Sequence, residues 1–139
     1  MEARVHYARV APGIYEAMLG LMSYLRKSGL DESLVNLISL RASQINGCAY
    51  CIDMHWKDLK AAGETDQKLY GLDAWTESVT NLSDGHVPDE VYERVRGVFT
   101  EKELADLTFA IAAINGWNRL NIAARTPAGA YRPAKSRAA

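Results

Sequence analysis

Apolar residues recur at three- and four-residue steps through most of the chain, and this spacing constrains the fold more than any other feature. No stretch alternates apolar and polar residues between hairpin turn signals, as a half-buried strand would. Glycine and proline divide the helical pattern into blocks, and Asp31 and the pair Thr100 and Glu103 are typical helix caps. We therefore predict an all-α bundle of about six helices, over residues 13–27, 31–46, 48–62, 65–79, 88–98 and 100–122.

The size and charge of the chain limit its organisation and its partners. Its 139 residues suit one domain, predicted over residues 1–125, and the basic residues 126–139 read as a flexible tail. Sixteen basic and seventeen acidic residues give a net charge of −1, so we expect neither a nucleic-acid nor a membrane partner. The start of the chain lacks an apolar leader, and no apolar run could span a bilayer. These features predict a cytoplasmic protein.

The two cysteines, Cys48 and Cys51, form a Cys-x-x-Cys motif directly after Gly47. On a helix that starts there, both cysteines and His55 share one face, and His55 lies one turn beyond Cys51. Free backbone N–H groups at a helix start favour a thiolate, and the imidazole can accept the thiol proton. The motif therefore contains every element of a reactive dithiol.

Two other interpretations of this motif stay open. A zinc site would need further ligands, but the sequence has no second Cys-x-x-Cys pair, and the remaining histidines, His6 and His86, are remote. The cysteines could instead be two small buried side chains, with His55 an ordinary core or surface residue. The combination of both cysteines, the histidine and the preceding turn favours redox chemistry, for which we expect no metal and no organic cofactor.

Two segments resemble one protein family. The run LISLRASQINGCAYCIDMHWKDLKAAGE is similar to the core motif of AhpD-like alkylhydroperoxidases of the carboxymuconolactone decarboxylase superfamily, and FTEKELADLTFAIAAINGWNRL is similar to their C-terminal helix. The resemblance implies an AhpD-like helical fold, with the cysteine pair at the start of a central helix, and usually a homo-oligomer. It also implies a peroxidase or disulfide oxidoreductase that acts on hydroperoxides and is restored by an external dithiol.

The resemblance also assigns roles to residues. It implies that Cys51 attacks the peroxide, that Cys48 resolves the sulfenic acid and that His55 relays protons. The relay glutamate of the family falls at Asn36, and an amide cannot carry a proton. Family members also place an additional helix between segments that abut here at the Trp75 to Thr76 bond.

Two functions follow as hypotheses. The first is a thiol-dependent peroxidase with His55, rather than Asn36, as the group that activates Cys51. The second is a non-catalytic oligomeric helical module that keeps the dithiol as a redox sensor or as inherited packing, and Asn36 in place of the relay acid supports it. A Cys51 thiol pKa below the value of about 8.5 for a free cysteine would distinguish the first from the second.

Overall fold

The computed structural model describes residues 2–62, 73–82 and 86–133. These residues contain seven α-helices. No strand occurs within those residues, so the all-α prediction is confirmed. The helix that the prediction lacked is the first, a single turn without a buried residue. In chain order the helices are α1 Tyr7–Val10, α2 Pro12–Lys27, α3 Glu32–Asn46, α4 Ala49–Ala61, α5 Asp73–Thr80, α6 Asp89–Arg96 and α7 Glu101–Ala124.

Side-chain caps mark the starts of α3 and α7. The Leu34 N–H donates to Asp31 Oδ1 at 3.0 Å. At α7, the Thr100 N–H donates to Glu103 Oε2 at 2.8 Å, and the Glu103 N–H donates to Thr100 Oγ1 at 3.3 Å. These bonds satisfy donors that a helix start leaves unpaired, which is why both boundaries could be predicted from adjacent residues alone.

The core forms around α7, which has 24 residues and is about 36 Å long. Helices α2, α3, α4, α5 and α6 all contact it, and α3 also packs along α4. Among the described helices, none combines the length and the apolar character needed to cross a bilayer. The largest buried cluster joins α3, α5, α6 and α7 through Ile38, Trp75, Val95, Leu104, Leu107 and Ile111.

Helix α5 continues without interruption through Trp75 and Thr76, both of which are buried. The two segments that meet at this bond therefore form one helix, at the point where the resemblance implies an additional helix in other family members. The predicted start of this helix, at residue 65, lies outside the described residues, and its predicted end, at residue 79, is one residue before the end of α5.

The described part of the C-terminal segment lies against α4. The Gly129 N–H donates to Asp53 Oδ2 at 3.0 Å, and the Tyr131 hydroxyl donates to Asp58 Oδ1 at 2.7 Å. Lys57 Nζ donates to Gly129 O at 3.3 Å. The flexibility of 126–139 stays a prediction, with its last six residues outside the described part. Up to residue 133, the segment is hydrogen-bonded to the helix that carries the cysteine motif.

Candidate active site

Cys48 and Cys51 are joined by a disulfide, with their Cα atoms 5.4 Å apart. Cys48 is the N-cap of α4, and Cys51 lies in its first turn, as the sequence predicts. Their exposed fractions are 1% and 0%, and they pack against Ala42 of α3 and Ile114 of α7. The cysteine pair therefore lies inside the protein, where three helices meet.

The turn before the disulfide is set by Gly47. Its φ of 71° lies in the left-handed region, which glycine adopts without steric cost. The Gly47 N–H donates to Gln44 O at 3.2 Å, and the Cys48 N–H donates to Ser43 O at 3.0 Å, which ends α3. Because the chain reverses here, α4 starts directly at Cys48 and packs back along α3.

Buried amides connect this turn to α7. Asn46 Nδ2 donates to Asn115 Oδ1 at 2.7 Å and to Asn118 Oδ1 at 2.9 Å. Asn118 is fully buried, and its Nδ2 donates to Ser43 Oγ at 3.0 Å. Arg119 of the same helix donates to Asn115 Oδ1 at 3.1 Å. This network positions the end of α3, and therefore the start of α4, against α7.

His55 lies one turn after Cys51 and is only 4% exposed. Its Nδ1 is 3.0 Å from Oδ1 of Asn36 on α3. Because a carbonyl oxygen only accepts, Nδ1 is the donor, and Nε2 of the neutral ring is left unprotonated. Nε2 is buried and has no hydrogen-bond partner among the described residues. The structure thus brings Asn36 and His55 together and leaves one imidazole nitrogen available as a base.

Burial lowers the pKa of the His55 imidazole to about 4, well below its ordinary value of 6.5. The ring is therefore neutral at physiological pH in this disulfide form. A neutral imidazole with a free Nε2 can accept a proton from a neighbouring thiol. Once a thiolate forms beside it, the opposite charge would raise the pKa of the ring again.

Acid should destabilise the oxidised protein through His55. The pKa of His55 is lower in the folded state than in the unfolded state, so between pH 6.5 and about 4 the unfolded state binds more protons. The free energy of unfolding therefore decreases as the pH is lowered through this range. Lowering the pH from about 7 to about 5 should reduce the free energy of unfolding by about 2 kcal/mol through this group. Urea denaturation at both pH values measures the change. His55→Leu removes the titrating group, and an undiminished pH dependence in that variant would contradict the prediction.

Asn121 is a site residue that the sequence analysis missed. Its Nδ2 lies 3.5 Å from Cys51 Sγ and donates to Trp117 O at 3.0 Å. An amide donor at this position can stabilise negative charge on the sulfur. The sequence does indicate that Asn121 lies on the same face of its helix as Ile114 and Trp117, because these residues are three and four positions apart. This spacing does not indicate which cysteine that helix face contacts.

A cavity of about 390 Å³ lies over Cys51 and His55. Residues of α2, α4 and α7 form most of its walls, together with Ser39 of α3. Thr126, Pro127 and five N-terminal residues also line it, namely Ala3, Val5, His6, Tyr7 and Ala8. The lining is mostly apolar, while Cys51, His55 and Asn121 contribute polar atoms. The cavity could therefore hold a small organic molecule beside Cys51.

The histidines considered as zinc ligands lie apart from one another. His6 lines the cavity, and His86 is an exposed residue before α6. Within residues 2–62, 73–82 and 86–133, no three His, Cys, Asp or Glu side chains group as metal ligands would. The geometry of the described cysteines is that of a dithiol and disulfide pair, without the surrounding ligands of a zinc site.

The fold and the site together define a class: a helical protein with a buried Cys-x-x-Cys disulfide at the start of one helix and a buried histidine one turn later. The profile of the carboxymuconolactone decarboxylase family matches residues 12–81, about half of the chain, and this range includes the site. An uncharacterized protein of Bacillus subtilis, YdfG, is 38% identical over an alignment that covers 88% of this chain and 95% of that one. The chain belongs to the carboxymuconolactone decarboxylase family.

A solved structure supports the AhpD-like resemblance. It is a crystal structure from Agrobacterium tumefaciens of a protein of unknown function, described as a candidate antioxidant defence protein AhpD. The two chains are 33% identical with a TM-score of 0.88, over 94% of this chain and 100% of that one. Alkyl hydroperoxide reductase AhpD of Bradyrhizobium diazoefficiens is 44% identical over 61 residues, which cover 42% of this chain and 34% of that protein. The predicted AhpD-like fold and family are confirmed.

Proposed function

We propose that this protein is a thiol-dependent peroxidase and disulfide oxidoreductase, which reduces hydroperoxides through the Cys48 and Cys51 dithiol. The observation that carries the proposal is the disulfide next to a cavity that His55 also lines. The Nε2 atom of this histidine has no hydrogen-bond partner among the described residues. A disulfide between two cysteines at the start of one helix suits a cycle between dithiol and disulfide. The AhpD names of two similar proteins support the same chemistry.

We assign the attack on the peroxide to Cys51, because Cys51 lines the cavity and Cys48 is not among its lining residues. The Cys51 thiolate attacks the terminal peroxide oxygen, the O–O bond breaks, and the products are a sulfenic acid and an alkoxide that leaves as the alcohol. The Cys48 thiol then attacks the sulfenic sulfur, which forms the disulfide and releases water. Each cycle oxidises two thiols and reduces one peroxide.

His55 is the proposed proton carrier of this cycle. Its Nε2 accepts the Cys51 thiol proton and returns it to the alkoxide that leaves. Asn36 Oδ1 fixes the tautomer through Nδ1 but cannot accept the proton in turn. With Asn36 where the family has a glutamate, the relay ends at His55. We therefore expect slower turnover than in a relative with a complete relay.

The oxidised pair must be reduced by an external dithiol. One thiolate of that reductant attacks the disulfide to form a mixed disulfide, and its second thiol releases the protein dithiol. Because Cys51 lines the cavity and Cys48 is not among its lining residues, we expect the attack at Cys51 Sγ. A reducing compartment such as the cytoplasm maintains dithiols of this kind.

Titration of the reduced protein tests the proposed function. The N–H groups at the start of α4 and the Asn121 amide favour negative charge on Cys51, so its thiol pKa should lie below about 8.5. The rate of alkylation against pH measures this pKa. Addition of tert-butyl hydroperoxide should form one disulfide for each peroxide consumed. A pKa at or above the ordinary value, with no peroxide consumption, would support a non-catalytic redox-sensing module instead.

We also propose that the protein is a homo-oligomer. Helix α2 buries only Leu25 and leaves Ile14 and Leu19 substantially exposed, at 48% and 41%, and Val10 before it is also exposed. Apolar exposure of this extent along one helix is typical of an interface between subunits.

Sedimentation at micromolar concentration should therefore show a species larger than the 15.4 kDa chain. Ile14→Lys should reduce self-association, because it places a charge in the proposed interface. Val98→Lys introduces the same charge at an exposed apolar residue that is not part of α2 and should have no effect. A monomer alone in the wild type would refute the proposal.

A further inference from the structure

We propose that the preferred substrate is an amphipathic anion, an organic hydroperoxide whose apolar chain ends in a carboxylate, and that Arg26 binds this carboxylate. The inference rests on the proposed function, because it names the class of hydroperoxide that the same cavity takes. It uses a feature that the cysteine motif does not explain, namely a cation on the wall of a mostly apolar cavity.

One stripe of α2 lines the cavity through Tyr15, Leu19, Met22 and Arg26. These residues are three or four positions apart, so they follow one another along a single helix face. From Tyr15 to Arg26 the helix rises by about 16 Å. The cavity therefore extends along α2, and Arg26 lies at the end of this stripe that is nearer the C-terminus.

Contacts with α7 show which end of the stripe is close to the dithiol. The Tyr15 ring meets the Trp117 ring edge-on at 5.5 Å between centroids, and Trp117 packs against the buried cysteine cluster. At the other end, Leu25 packs with Ala110 and Ala113 of α7. Helices α2 and α7 thus run antiparallel, with Tyr15 at the dithiol end.

The distance between the two ends suits a chain of medium length. Trp117 and Ala110 both line the cavity, and the helix rise between them is about 10 Å. Leu19, Met22 and Ile114 supply apolar wall over this length. A ligand with its peroxide at Cys51 would therefore place the far end of an apolar chain near Arg26.

The charge at that far end is positive. Arg26 is the one permanently charged side chain among the described residues that line the cavity. In the same part of the chain, no carboxylate lies within 4.0 Å of its guanidinium. A guanidinium binds a carboxylate through paired N–H groups, which makes a carboxylate the matching ligand. Lys27, the last residue of α2, carries a similar charge but does not line the cavity.

Kinetics with a matched pair of substrates test the inference. We expect kcat/KM for ω-hydroperoxydecanoate to exceed that for its methyl ester, and Arg26→Met to lower the value for the acid by about tenfold. The ester and tert-butyl hydroperoxide, which lack the carboxylate, should lose far less than the acid in Arg26→Met. The control variant Lys27→Met should leave all three substrates unchanged. Equal kcat/KM for acid and ester, or equal losses for all three substrates in Arg26→Met, would overturn the inference.

A binding measurement separates this inference from the proposed function. Calorimetry with decanoate, which carries no peroxide, should give a Kd that Arg26→Met weakens about tenfold and that Lys27→Met leaves unchanged. If no hydroperoxide is consumed but decanoate binds in this way, the proposed function fails and the carboxylate site stands. If tert-butyl hydroperoxide is consumed and decanoate does not bind, the carboxylate site fails and the proposed function stands.

Discussion

Replacing Cys51 by serine should reduce hydroperoxide consumption to the uncatalysed background, a loss of about 10³-fold or more. The hydroxyl of serine is far less acidic than a thiol, and His55 alone cannot make it a comparable nucleophile at neutral pH. Serine is close to cysteine in volume, so the cluster around Ala42 and Ile114 should stay packed. Loss of peroxide absorbance or of a ferrous-dye signal measures the rate, and circular dichroism checks the helical content.

Cys48→Ser is the matched control for this prediction. It leaves Cys51 in the cavity, so the first step should proceed at nearly the wild-type rate and stop at the Cys51 sulfenic acid. A dimedone adduct on Cys51 would report that intermediate. Two results would show that the roles of the cysteines are exchanged. One is peroxide turnover by Cys51→Ser, and the other is loss of the first step in Cys48→Ser but not in Cys51→Ser.

Replacing His55 by alanine should slow both peroxide reduction and thiol alkylation by about 10²- to 10⁴-fold, the range expected for loss of a general base. The prediction depends on the buried Nε2, which has no described partner in the oxidised form and lies beside the same cavity as Cys51. Alanine leaves a void next to α3, which would itself disturb the packing of the site, so His55→Gln is used as a second variant that fills this space. Glutamine can keep a hydrogen bond to Asn36 but cannot carry the proton at neutral pH.

Asn36→Ala provides a comparison that separates positioning from proton transfer. It removes the hydrogen bond to Nδ1 and leaves the base in place, so its loss should be smaller than that of either His55 variant. If His55→Ala and His55→Gln both react at wild-type rates, the histidine only packs. The N–H groups at the start of α4, together with Asn121, would then be the activating elements.

Asn36 affects the proposed role of His55 in two opposite ways. Its amide keeps the His55 ring in one tautomer, which prepares Nε2 for the thiol proton. The same amide adds no charge, so nothing offsets the burial that lowers the pKa of His55 to about 4. A carboxylate at this position would raise that pKa and extend the relay. In the proposed function, the site is therefore prepared for attack by Cys51, but no second proton carrier follows His55 in the relay.

Features that depend on adjacent residues could be predicted from the sequence. The capping box at Thr100 and the glycine turn at Gly47 involve atoms a few residues apart, so their geometry follows from local chemistry. The i, i+4 relation of Cys51 and His55 is equally local, because the helix itself sets it. The short helix α1 was missed because one exposed turn has too few residues to show a period.

Features that depend on distant residues required the tertiary structure. Asn36 and His55 are 19 positions apart, and Asn121 is 70 positions from Cys51. Family resemblance identified Asn36 as a position of interest, but only the packing of α3 on α4 shows its contact with Nδ1. Asn121 resembles any polar residue near a helix end until α7 is placed against α4.

The sequence by itself determined the all-α class, most helix boundaries and the order of Cys48, Cys51 and His55 along one helix, because short-range hydrogen bonds and helical periodicity act within a few residues. The tertiary structure alone decided which cysteine lines the cavity, that Nε2 of the histidine has no described hydrogen-bond partner, and that Arg26 lines the same cavity. These properties arise where α2, α4 and α7 pack together, and burial and distance between separate helices are set by the packing of the whole core.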